Sequence, residues 1–235
     1  MARLTIGEFG GFPPDAFRFY AELGREGNND RAWFDANRDR YERGVRLPLE
    51  ELLDRAADAF GDDGKVFRPN RDVRFSKDKR PYKGHAGAVL NHRDGTDAPT
   101  YYVQIDADGM LAAAGYHELS RDQLERFRRA VDDGRTGGAL VRAVREAREA
   151  GLEVGGSELK RAPRGVDPAH PRIELLRHKR LTVAQAWPTS PWMHTAEAYD
   201  RVASVWRASL PIGRWLQRHV GAAAERHDQP GHRSG

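Results

Sequence analysis

The chain has 235 residues, 39% of them hydrophobic, no cysteine, and a net charge of +4 from 39 basic and 35 acidic side chains. The lack of cysteine excludes disulfides, thiolate metal sites and cysteine nucleophiles, and no run approaches the ~18 apolar residues of a membrane span. Met1 to Gly7 lacks the apolar core of a signal peptide, so the reading is a soluble, cytoplasmic protein with no membrane partner.

Residues 15 to 60 read as helical. Phe17, Tyr20, Ala21 and Leu23 space like one buried face, and Gly24 ends it. Asn28-Asn29-Asp30 is turn and cap chemistry ahead of a second helix carrying Trp33, Phe34, Ala36, Asn37 and Tyr41. Capping and burial explain Asn28, Asn29, Trp33 and Phe34; a pocket wall contributing amides is the alternative. Pro48 opens or kinks a third segment from Leu49 to Phe60, closed by the loop Gly61 to Gly64.

The middle of the chain is β-like, with strands at Ala86 to Leu90, Thr100 to Asp106 and Met110 to Gly115. Asp106-Ala107-Asp108-Gly109 is a hairpin signal. Tyr101, Val103 and Ile105 alternate with Tyr102, Gln104 and Asp106, which predicts one buried face and one partly wet face. Helix returns after Ser120, over Arg121 to Asp132, and again over Gly137 to Ala150. Residues 151 to 185 mix short strands and loops. Two closing helices are expected, Thr195 to Leu210 and Ile212 to Ala224, broken at Pro211. The fold class is therefore α+β: one domain over residues 1–224, an antiparallel sheet flanked by helices, then a disordered tail at 225–235.

Only six of the 39 basic residues are lysine, and four of these are Lys65, Lys77, Lys79 and Lys83. From Arg68 to Lys83, seven cations face two anions, Asp72 and Asp78, so this stretch alone exceeds the net charge of the chain. Lysine is a compact point charge and arginine a planar fork, so mixing them in one segment points to a site. Arg71 to Phe75 could be a short strand and Ser76-Lys77-Asp78 a loop stiffened by Pro81. The functional reading is an anion pocket in which Arg71, Arg74, Lys77, Lys79 and Lys83 hold the anion and Tyr82 or Ser76 donates a further hydrogen bond. The bland reading is an internal salt-bridge network pinning a loop.

The other two lysines, Lys160 and Lys179, fall in or beside a second basic stretch from Gly156 to Arg180. Lys160, Arg164 and His170 are expected to approach the anion from there. His170, between two prolines, either works as a general acid or base or caps the helix starting near Pro171. If chemistry occurs, Asp72 or His170 is the general base.

No phosphate loop, dinucleotide fingerprint, nucleophile elbow or HExxH is present. The nine histidines are scattered, and His85 with His92, seven apart, is weak as a metal pair. No cofactor and no metal is therefore expected. The partner is an anionic small molecule, with nucleic acid the alternative; the oligomeric state is not legible.

These residues carry a resemblance. Arg68-x-x-Arg71-Asp72-x-Arg74-Phe75-Ser76-Lys77-Asp78-Lys79-x-Pro81-Tyr82-Lys83 looks like the hallmark of the family called domain of unknown function 2461. Asn28-Asn29-Asp30-Arg31-x-Trp33-Phe34-x-x-Asn37-x-x-x-Tyr41 is similar to its early signature, and Lys160-Arg161-x-Pro163-Arg164-Gly165-x-Asp167-x-x-His170-Pro171 resembles its later one. The match runs from about Phe12 to Leu216. It implies a compact, mainly bacterial domain and no particular activity.

Overall fold

The computed structural model describes residues 8–91, 99–156 and 158–224. Expectations for Met1 to Gly7, His92, Ser157 and the tail at 225–235 lie outside the described residues.

The chain opens with helix α1 at Pro14–Leu23, its proline in the first turn where no N–H is needed. Helix α2, Arg31–Ala36, starts at Asp30, whose carboxylate accepts the Trp33 N–H at 2.8 Å. Asn37 then leaves helical geometry, at φ −109° and ψ 13°, and its side-chain amide donates to the Trp33 carbonyl. That splits the single helix expected over Trp33 to Tyr41 into α2 and α3, Arg38–Tyr41. A π turn at Glu42–Arg46 leads directly into α4, Leu47–Phe60. Pro48 cannot extend a regular ladder backwards, and the wider turn immediately before it is the local accommodation.

The structure is α+β, with a six-stranded antiparallel sheet in the order β1-β2-β3-β4-β6-β5 among the described residues. The strands are β1 Asp63–Val66, β2 His85–Asn91, β3 Thr100–Asp106, β4 Gly109–Tyr116, β5 Glu153–Gly155 and β6 Leu181–Pro188. The first half of β1, Asp63 and Gly64, was expected to be loop. β1 is an edge strand, exposed along most of its length, so it carries no alternation for a sequence reading to find. The remaining helices are α5 Arg121–Asp132, α6 Gly134–Glu149, α7 Ile173–Arg177 and α8 Glu197–His219. α5 begins with a capping box in which Ser120 and Gln123 satisfy each other's backbone N–H groups.

α8 corrects the expected break. It runs through Pro211 as one 23-residue helix. An interior proline costs about 3 kcal/mol. Here Val205 and Trp206 before it, and Ile212, Trp215 and Leu216 after it, are all buried, and that burial outweighs the lost ladder bond.

Contacts divide the chain into two compact units. Among the described residues, the first comprises 8–91, 100–114 and 184–208; the second comprises 99, 115–156, 158–183 and 209–224. In the first unit, Ala86, Ala88 and Leu90 of β2 and Tyr101, Val103 and Ile105 of β3 form the buried face of the sheet. Leu49, Leu52, Leu53 and Ala56 of α4 are buried in the same core, which also takes in the aromatic cluster of Phe19, Phe34 and Tyr41. The opposite face carries His85, Tyr102, Gln104 and Asp106, half-buried, as the alternation predicts. The Tyr102 hydroxyl crosses this face toward β2, where only a glycine leaves room for it: a Cβ on Gly87 would lie 2.6 Å from that oxygen.

In the second unit, Phe127 of α5 meets Trp215 edge-on, and the Trp215 indole donates to the Thr136 carbonyl at 2.9 Å. Arg126 and Gln123 hold the end of α8 through the carbonyls of Val220 and Gly221. His178 is buried, and its Nδ1 has no hydrogen-bond partner among the described residues; Glu158 Oε1 is 3.6 Å away. Burial lowers the His178 pKa, Arg148 and Arg177 add to this, and Glu158 and Glu174 oppose it. The folded protein therefore resists protonating this ring. Stability is complete above the unfolded histidine value near ~6.5 and falls as pH drops through it toward the lower folded value. His85, also lowered by burial, acts in the same direction. Urea unfolding of the wild type is expected to show a falling midpoint between pH 7 and 5. His178→Gln should flatten that slope; an unchanged slope contradicts the assignment.

A candidate anion-binding hairpin

The lysine-rich segment leaves the end of β1 and returns into β2. Its two arms run antiparallel: Phe67 N–H donates to the Gly87 carbonyl, Arg71 N–H to Pro81 at 2.7 Å, and Lys83 N–H to Pro69 at 2.8 Å. Asn70 and Tyr82 form the one β bridge between them. The short strand expected at Arg71 to Phe75 is absent. Asp72 Oδ1 accepts the Arg74 N–H and Asp78 Oδ1 accepts the Arg80 N–H, and these two carboxylate-capped turns bend the chain where a strand needs it extended.

The base of the hairpin is pinned to the helical layer. Asn29 donates its amide to the Tyr82 carbonyl at 3.1 Å and accepts the Tyr82 N–H at 3.0 Å, imitating a neighbouring strand. The Tyr82 ring is buried and stacks on Phe34 with centroids 3.9 Å apart. Tyr82 is thus placed in the core at the root of the hairpin. The sequence expectation for Asn29 was a cap, but Asp30 does the capping and Asn29 reaches across 53 residues. No local signal in the sequence could have shown that reach. Asn29→Ala removes both bonds, leaves a buried backbone pair unsatisfied, and should lower stability by about 1–3 kcal/mol. Hydrogen exchange at the Tyr82 amide should accelerate well beyond that of the β3 amides; unchanged protection would contradict the pinning.

The charges in the hairpin separate by type. Asp72 binds Arg74 through both oxygens, which holds its carboxyl down at about 2. Asp78 takes Arg80 and Arg71, at 2.8 and 2.6 Å, and is held well below the usual carboxylate range. Both acids are thereby spent on arginine. Among the described residues, Arg68, Lys77, Lys79 and Lys83 have no carboxylate partner. Lys79 Nζ donates to the Val73 carbonyl at 3.1 Å and Lys83 Nζ to the Arg68 carbonyl at 2.9 Å. Each ammonium keeps two further N–H donors. Burial, then repulsion from Arg68, lowers the Lys83 pKa, and its ammonium sits 5.6 Å over the Phe67 ring.

Lys83 adjoins the half-buried face of the sheet. Phe67 lies 6.5 Å from Tyr102, whose hydroxyl donates to Gln104, and Gln104 donates to Asp106 at 3.0 Å. His85 stands opposite Asp106 in the β2–β3 register. Burial and Asp106 push the Tyr102 hydroxyl up to about 12. This row was visible in the sequence only as the wet face of a strand.

The second basic stretch belongs to the second unit. Arg177 braces it through the carbonyls of Leu159 and Lys160, leaving the Lys160 side chain exposed. Arg164, also exposed, lines a groove of about 850 Å³ together with Arg121, Arg128, Arg129 and His170. His170 Nδ1 accepts the Arg172 N–H at 3.0 Å, so its Nε2 carries the proton and faces Asp132 Oδ1 at 3.2 Å. Both ring nitrogens are engaged at the start of α7. Asp72 is equally engaged in the hairpin.

The fold and these segments define an α+β protein that presents a braced, lysine-bearing hairpin. The family described as conserved hypothetical protein (DUF2461) matches residues 15–215, and the chain belongs to that family. Among curated proteins, none matches.

Proposed function

We propose that the protein binds an anionic ligand of the phosphate class through the hairpin. The observation that carries this reading is the division of charge: both acids are closed on arginines while Lys77, Lys79 and Lys83 remain without a carboxylate. Arg71 and Arg74 shape the turns and offer their remaining N–H groups; Tyr82 fixes the root. An internal network that served the fold alone leaves Lys77 without a use, and it engages only one of the three N–H donors of Lys79 and of Lys83. Lys160 and Arg164 are anion contacts of the second unit, where Arg164 lines the groove and Lys160 is exposed on the same basic stretch. If the ligand is also transformed, Asp72 must first release Arg74, and His170 Nδ1 must release the Arg172 N–H, before either can accept a proton.

Thermal-shift measurements with inorganic phosphate, tripolyphosphate and nucleotides test the reading. A saturable rise in melting temperature with at least one of them is expected, growing with the ligand's charge. No stabilisation by any anion would overturn it.

A further inference from the structure

We infer that the hairpin's ligand is a single-stranded nucleic acid, with a base stacked on Phe75 and its phosphates on Lys77 and Lys79. This rests on the anion-binding reading above and identifies the anion. Phe75 is 97% exposed at the tip of the hairpin, whereas the next most exposed large apolar residues among those described, Val141 and Leu47, are 43% and 41% exposed. The side chain is held out by a braced tip. The two capped turns flank it, and the clasp of Lys79 onto Val73 closes the loop beneath it. A flat, unpaired ring on a stiff loop is a stacking platform, and stacking needs no particular base because every base has a π-face.

The surrounding charge selects the partner. Lys77 and Lys79 are exposed beside Phe75, and both nearby carboxylates are already closed on arginines, so the tip offers positive charge and no free acid. Phe75 stands out from the tip of the hairpin, so the geometry suits a ligand that passes over a finger. A second ring with a cation stands at the hairpin's other end, where Lys83 lies over Phe67 and Phe67 faces Tyr102. Rings and cations at both ends of one segment fit a strand of alternating bases and phosphates. An anionic membrane would call for several apolar side chains at the tip, and Phe75 is alone there.

Fluorescence anisotropy with a labelled fifteen-nucleotide oligothymidylate tests this, with the same-length duplex, anionic vesicles and tripolyphosphate as competitors. The wild type is expected to bind the single strand more tightly than the duplex. Phe75→Ala should weaken that binding by about five- to a hundredfold, the range for loss of one base stack, while Phe75→Trp retains it. Tripolyphosphate binding should be the same in wild type and Phe75→Ala. Equal oligonucleotide affinity in wild type and Phe75→Ala, preference for duplex, or Phe75-dependent binding to vesicles alone overturns the inference. Binding of tripolyphosphate without oligonucleotide overturns it and leaves the anion reading standing; binding of neither removes both.

Discussion

Trp206→Ala is expected to destabilise the protein by about 3–5 kcal/mol, the range for deleting a large buried aromatic. Trp206 is wholly buried in α8. Its ring lies 5.2 Å from Phe60 of α4 and 5.4 Å from Tyr101 of β3, and its indole N–H donates to the Tyr102 carbonyl. One side chain thus ties α8, α4 and the sheet together in the first unit, and alanine leaves a void that the two neighbouring rings cannot close. Trp206→Phe keeps most of the apolar surface but leaves a polar carbonyl without its donor, so a smaller loss of about 1–3 kcal/mol is expected. Urea denaturation followed by circular dichroism separates the two. Equal losses for both variants would show that the hydrogen bond, not the packing, dominates.

Replacing Lys77 and Lys79, the two ammoniums at the tip, by alanine is expected to lower affinity for tripolyphosphate by about tenfold for each ammonium removed, since a hydrogen bond to a charged group is worth about 1.5–3 kcal/mol. The variant should still fold. Lys77 is exposed with no carboxylate partner among the described residues, while Lys79 gives up one bond to a carbonyl, worth about 1 kcal/mol. Isothermal titration measures the affinity and a melting curve without ligand measures the fold. Unchanged affinity in a folded variant would assign the lysines to the fold or to solvent. Arg74→Ala makes a useful contrast. It frees Asp72, an anion, at the tip, and so should weaken binding by adding repulsion as well as by removing a donor.

Much of the fold was legible because its signals are local. Ser120 with Gln123 marks the start of α5, Asp106 to Gly109 marks a hairpin turn, and the alternation of β3 separates its faces without help from the rest of the chain. The failures share a different cause. β1 is an exposed edge strand whose pairing partner, not its own pattern, makes it a strand. Pro211 ends a helix by local rules, and buried residues on both sides overrule those rules. Lysine placement drew attention to the segment that forms the hairpin, because composition is read without geometry. The pairing of Asp72 and Asp78 with particular arginines, the role of Asn29 and the exposure of Phe75 all depend on where the chain turns, and no spacing rule gave those turns.

Whether the hairpin lysines are the anion contacts can be read at the lysines themselves. With six lysines in the chain, each signal can be assigned by single-site substitution, and ¹³C-lysine-labelled protein titrated with tripolyphosphate can be followed by NMR at the Cε positions. Lys77 and Lys79, at the tip, are expected to shift together and saturate, while Lys65, on the exposed edge strand, does not move. Uniform, unsaturating drift of all six signals, or saturation at Lys65 with the hairpin lysines unmoved, would contradict anion binding at the hairpin.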